Sequence, residues 1–194
     1  MRIQLDPDVL EAIFTDDGSD LRALCEGKPM MLVFLRHFGC TFCREAMSDI
    51  AAHRSEIEQH GVEVILVHQA EADVAKEYLQ RYELSNMRHI SDPDRSLYEY
   101  FGLMKGSFWQ LYGLKTWLRG IKAGLIDGHG RPQIDKKLGN YEQMPGVFII
   151  YGNRIRARFL HQSAADRPDY VALAAGYAAN SAAKNNSNTT NPKI

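Results

Sequence analysis

The stretch MMLVFLRHFGCTFCRE, residues 30 to 45, sets an apolar run directly before two cysteines three apart. "MMLVFL" follows Pro29 and is too short for a helix, so Met30 to Leu35 reads as a buried strand. After it, Cys43, Met47, Ile50 and Ile57 recur at helical spacing as far as Gly61, a residue suited to a helix C-terminus. The cysteine pair therefore stands where a strand passes into a helix. Open α/β sheets place their sites at that carboxyl edge. C-x-x-C beside such a pattern signals thiol redox chemistry.

Outward from this point, strand-like and helix-like segments alternate. "VEVILVH" (62 to 68) reads as a second strand, and "AEADVAKEYLQRYEL" (70 to 84) as an amphipathic helix with Val74, Tyr78 and Tyr82 on one face. A short strand is expected around Met87 to Ile90. "SDPDRSLYEYFGL" then opens a helix, with Asp92 as N-cap and Pro93 in its first turn. "GVFIIYGNRIRARFLH" (146 to 161) reads as a hairpin around Gly152-Asn153, and Pro168 starts a last helix through residue 179. Residues 180 to 194 are polar and of low complexity and read as a disordered tail. The order implies an α/β fold of thioredoxin-like topology. It has a mixed sheet, helices on both faces, an N-terminal extension over 1–28, and a helical insertion over about 102–140 before the last β-hairpin.

The 194 residues favour one domain, and 45% hydrophobic content suffices for a core. A net charge of −1 gives no global reason to expect a nucleic-acid partner. Three cysteines make a poor disulfide framework and fit redox or metal use in a reducing compartment. With acids and Pro7 near the start and no apolar run of membrane-spanning length, a cytoplasmic protein is expected.

A thiolate at a helix start is stabilised by unpaired backbone N–H groups and the positive end of the dipole. Cys40, after Gly39, falls at or just before the N-cap and should be the more exposed sulfur. Cys43 falls one turn in, on the buried face. Cys40 is thus the attacking thiol and Cys43 the resolving one, with Arg36, Arg44 and His37 supplying positive charge. Two competing readings are a pair of buried hydrophobes and a zinc site made of Cys40, Cys43, His37 and Cys25. Cys25 itself reads as a buried hydrophobe.

Four segments, FLRHFGCTFCRE (34 to 45), KGSFWQLYG (105 to 113), GRPQIDKKLG (130 to 139) and MPGVFII (144 to 150), together resemble the peroxiredoxin-like branch of the alkyl hydroperoxide reductase and thiol-specific antioxidant (AhpC/TSA) superfamily. The resemblance spans about residues 20 to 179. It implies a thioredoxin-like fold, antioxidant oxidoreductase activity through Cys40 and Cys43, and a cis Pro145 facing the dithiol, with Met144 offering its backbone to substrate. The same resemblance exposes departures. Peroxiredoxins carry Pro-x-x-x-Thr/Ser-x-x-Cys. Setting Cys43 on the peroxide-reacting cysteine puts Cys40 at the hydroxyl position and Arg36 at the proline, while Pro145 replaces an arginine before the late strand.

From Gly102 to Leu138 there are seven Lys/Arg against Asp127 and Asp135, net +5, whereas residues 1 to 60 carry net −5. Leu111, Leu114, Leu118, Ile121 and Leu125 recur at helical spacing, with Lys115, Arg119 and Lys122 opposite. This helix reads as a cap over the sheet edge or against a second subunit, its cations solvated. Membrane contact is the lesser alternative. His129, Arg131 and Asp135 read as loop residues.

The function expected is reduction of hydroperoxides or disulfides, with an external thiol such as thioredoxin, glutaredoxin or glutathione as reductant. No organic or metal cofactor is implied, and a homodimer is compatible. Protein disulfide exchange alone, or a non-enzymatic redox-responsive binding module, are the alternatives.

Overall fold

A computed structural model describes residues 4–107, 110, 111, 113, 119 and 135–189. Met30–Phe34 forms β1, and each of its five side chains is buried because the strand lies at the centre of the sheet. β2 (Glu63–His68) pairs parallel to β1, and β3 (His89–Ser91) pairs parallel to β2. On the other side β4 (Gly146–Tyr151) and β5 (Arg154–Leu160) run antiparallel, which gives the order β3-β2-β1-β4-β5. This is the mixed sheet expected. The β4–β5 connection is Gly152-Asn153, with Gly152 at φ +59°, a conformation glycine adopts without steric cost.

Period-two alternation along β1 divides the core into two layers. Met31, Val33 and Leu35 face α3 (Thr41–Gln59), α4 (Ala72–Arg81) and α6 (Tyr170–Thr189). Met30, Leu32 and Phe34 face α1 (Pro7–Glu11), α2 (Leu21–Gly27) and α5 (Ser96–Tyr100). The N-terminal extension therefore seals one sheet face, burying Leu5, Leu10, Leu21 and Cys25.

Two boundaries differ from expectation. α5 begins at Ser96, because Arg95 takes a left-handed φ of +64° before it. Asp92 still caps the helix from further back, its carboxylate accepting from the N–H groups of Leu97 and Tyr98. α6 continues to Thr189, ten residues into the stretch read as tail. Ala178, Ala179, Ala182 and Ala183 favour helix, and no proline or glycine falls between Gly176 and Thr189 to stop it. Residues 190–194 lie outside the described residues. Among the described residues, no helix is long and apolar enough to cross a membrane.

Buried histidines give the fold an acid limit. His68 and His89 meet ring to ring, Nε2 to Nδ1 at 2.9 Å. Burial first, and then His89, push His68 down to about 3, and burial pushes His37 down to about 4. In the unfolded chain both titrate near 6.5. Below that pH the unfolded state binds protons that the native state refuses, so stability is full above about 6.5 and lost as pH falls. The slope approaches about 1.4 kcal/mol per pH unit for each histidine. Melting temperature should fall steadily from pH 6.5 to 5.5, above the range where ordinary carboxylates titrate. A flat profile there would contradict the burial of these rings.

Candidate active site

β1 ends at Phe34 and the chain turns through residues 35–39 into α3. Cys40 is the N-cap, in extended conformation, and its carbonyl accepts from the N–H groups of Cys43 and Arg44, each at 3.1 Å. This first turn brings the two sulfurs together, with the Cys43 thiol donating to the Cys40 sulfur. Arg36 addresses both. Its backbone N–H donates to Cys43 Sγ at 3.1 Å, and its Nη1 donates to Cys40 Sγ at 3.4 Å. Backbone carbonyls before β4 hold the guanidinium, Gln143 O on Nε at 3.0 Å and Tyr141 O on Nη2. The Gln69 side-chain amide donates to the Arg36 carbonyl and accepts from Asn140 N–H at 3.0 Å. Among the described residues no carboxylate pairs with Arg36, so its charge is left for Cys40.

The electrostatics separate the two thiols. The hydrogen bond from Cys43, followed by the charge of Arg36, holds Cys40 well below the usual thiol range against the penalty of burial. Cys43 is pushed well above that range by burial first, then by its bond to Cys40 and the charge there. His37 could assist only as imidazolium. Burial holds its ring down to about 4, with Arg36 and Arg44 acting the same way, so near neutrality the cation is Arg36 alone. These directions make Cys40 the readier anion of the pair.

Exposure does not follow the sequence reading. Cys40 and Cys43 are each only 4% exposed. The end of the insertion packs against the loop before Cys40: Phe38 N–H donates to Leu138 O at 3.1 Å, and Gly139 packs on His37 and Gln69. Gly139 has φ +109°, and a Cβ there would stand 3.0 Å from Gln69 Cβ and 3.1 Å from His37 Cβ. Gly139→Ala should therefore displace Gln69 from the Arg36 carbonyl and cost about 1–3 kcal/mol. Chemical denaturation of the reduced protein reads this; an unchanged midpoint would show that the packing tolerates a side chain.

The other expected residues divide. Arg44 is buried and donates to Thr41 Oγ1 at 3.3 Å, and its charge helps to hold the His37 ring down. Pro145 lines the cleft beside Cys43, yet no cis peptide bond occurs among the described residues. This corrects the expectation of a cis Pro145; trans is the ordinary preference for X-Pro. Nor is Met144 free to offer its backbone. Its N–H donates to Met104 O, its carbonyl accepts from the Gln143 amide, and its side chain packs with Leu111 and Ala164. The four-ligand zinc set is split: Cys25 lies in the core layer on the opposite sheet face, and burial pushes its thiol up to about 12.

Most of the insertion's helix lies outside the described residues, as do His129 and Arg131. Asp135 caps the 3-10 turn Lys136–Leu138 through the N–H of Lys137. Arg119 is not solvated as expected. It grips the buried Glu45 of α3 at 2.9 and 3.2 Å, joined by Arg167 at 3.5 Å.

Sequence reasoning missed Gln69, Tyr141, Gln143 and His161. Tyr141 and Gln143 act through backbone carbonyls, which leave no residue signature, and Gln69 acts through an amide whose partners lie far off in sequence. His161 was hidden as the last member of an alternating strand. It lines a cavity with Arg36, Cys43, Pro145 and Arg167, whose interior of about 20 Å³ is open to the centre of a water molecule.

A family model described as the AhpC/TSA family matches residues 14–156. The human protein Peroxiredoxin-like 2C is 28% identical over 154 residues, spanning 72% of this chain and 67% of that one. Among solved structures, the bacterioferritin comigratory protein of Xanthomonas campestris superposes with a TM-score of 0.62 at 14% identity, over 91% of this chain and 97% of that one. A yeast mitochondrial 1-Cys peroxiredoxin superposes with a TM-score of 0.59 at 16% identity, over 89% and 73%. At such identities the two structures establish the fold, and the family model reaches from just before α2 into β5.

Proposed function

The chain belongs to the AhpC/TSA family of thiol-dependent peroxide-reducing oxidoreductases, and on that premise we propose that its Cys40–Cys43 pair is the redox dithiol. The Cys40 thiolate attacks one oxygen of a hydroperoxide, the O–O bond breaks, and the products are a Cys40 sulfenic acid and an alcohol or water. Cys43 then attacks the Cys40 sulfur, releasing water and leaving the disulfide. An external dithiol or thiol reduces it again, and a reducing compartment, the cytoplasm, suits that recycling.

The observation that carries this reading is the double contact of Arg36, whose N–H holds Cys43 while its guanidinium faces Cys40. A peroxidase needs positive charge where oxygen develops it negatively. In the family that charge comes from before the late strand; here Arg36 supplies it from the proline position. The yeast relative's structure concerns thiol resolution via glutathione/thioredoxin systems, which makes those two the reductants to test first.

The test is stopped-flow mixing of the reduced protein with hydrogen peroxide, followed by thiol counting. Two thiols should disappear per peroxide while Cys25 stays titratable after unfolding. A flat trace at high peroxide, with rapid closure by a low-molecular-weight disulfide, would favour disulfide exchange instead.

A further inference from the structure

We propose that His161 is the general base that takes the Cys43 proton as the disulfide closes. This rests on the dithiol reading above, with Cys43 as the resolving thiol. A buried thiol attacks only as thiolate, so its proton must go to an acceptor in direct reach or one water away. The cavity beside Cys43 has about 20 Å³ open to the centre of a water molecule, which is room for one such water.

The other candidate bases in that wall are already engaged. Glu45 is held by Arg119 and Arg167. Asp49 is held by Arg167. Asp166 accepts from the N–H groups of Gln162 and Ser163 and from the Ser163 hydroxyl. The Tyr170 phenol is driven up by burial and holds its proton. Arg36 is a cation. What remains is His161, whose Nδ1 is buried and has no hydrogen-bond partner among the described residues. A neutral imidazole offers one acceptor nitrogen. Burial holds the ring down to about 4, with Asp166, the Pro145 carbonyl and Cys40 drawing it up, so it is neutral throughout the working range.

The step balances. Cys43 gives its proton to the imidazole and its electron pair to the Cys40 sulfur, whose bond to oxygen breaks. The departing hydroxide takes the proton from His161 and leaves as water. Two of the causes that raise Cys43, its bond to Cys40 and the charge there, vanish once Cys40 is oxidised. Burial alone then has to be overcome.

The test uses one equivalent of dithiobis(nitrobenzoate) on the reduced full chain. Capture by Cys40 releases one thionitrobenzoate, and closure by Cys43 releases the second. In wild type the second release should be independent of pH from about 5.5 to 8, since the base is neutral across that span. In His161→Gln and His161→Asn the ratio of second to first rate constants should fall about 100-fold. Their second release should also climb tenfold per pH unit, because only hydroxide ionises Cys43. An unchanged ratio with a flat profile in both variants overturns the proposal. So does a wild-type closure that already climbs tenfold per unit, a result that needs no variant to fold. First capture on Cys43 in the wild-type protein, located by mass spectrometry after quenching, would overturn it too. A parallel hydrogen peroxide arm separates the two readings: if peroxide leaves the protein untouched while the second release still depends on His161, the peroxidase reading falls and the base stands.

Discussion

Cys40→Ser is expected to bring peroxide turnover down to the buffer background, a loss of roughly 10⁴-fold or more. A serine hydroxyl beside Arg36 does not ionise near neutrality, and the remaining thiol, Cys43, is held protonated above all by its burial. Cys43→Ser should behave differently. Its hydroxyl can still donate to Cys40, so the first step should survive within about tenfold, by the same hydrogen-bond logic that favours the charged form. The sulfenic acid then has no resolving partner and accumulates. Dimedone labelling and mass spectrometry after one equivalent of peroxide should find the adduct on Cys40 in Cys43→Ser and none in Cys40→Ser. A dimedone adduct on Cys43 in the Cys40→Ser protein would invert the roles.

The second large effect belongs to Arg36. Arg36→Met keeps the length and apolar stem of the side chain and removes a charge that lies 3.4 Å from Cys40 Sγ. An opposite charge at such range typically moves a titration by about one to three units. The Cys40 titration should accordingly rise, and the rate with peroxide at neutral pH should fall about 100-fold, recovering as pH rises. The backbone N–H to Cys43 is retained, so the resolving thiol keeps its place. Arg36→Lys should land between the two, because one ammonium cannot span both Gln143 O and Tyr141 O while facing the sulfur. Iodoacetamide alkylation against pH measures the shift directly. If Arg36→Met alkylates with the wild-type midpoint, the thiolate is held by Cys43 and the helix start alone.

Much of this was legible from residues 30 to 45, because the features there are local. A continuous apolar run fixes the strand, a 3.6-residue stripe fixes the helix, and the junction fixes the place of the dithiol. The lowering of Cys40 was expected from the helix start, whereas its largest cause in the structure is the hydrogen bond from Cys43, with Arg36 adding to it. The burial of Cys40 was not expected, since the loop before it is packed on by Leu138 at Phe38 and Gly139 at His37, about a hundred positions away in sequence. The support of Arg36 comes from two carbonyl oxygens, and a carbonyl looks the same in every residue. Arg119 read as a solvated cation because its partner Glu45 lies on α3, far off in sequence. Pro145 was placed correctly beside the dithiol, but its isomer is a property of the assembled fold.

Three cysteines permit three intramolecular pairings, and only one is open to this architecture. Bridging needs Cα atoms within about 7 Å of each other. The sheet stands between Cys25 and the other two, so Cys25 cannot bridge to either. For the proposed dithiol, oxidation then has a single covalent outcome among these three thiols. An oxidised sample should run as one species on a non-reducing gel and in reversed-phase chromatography, with no isomerase needed to sort it.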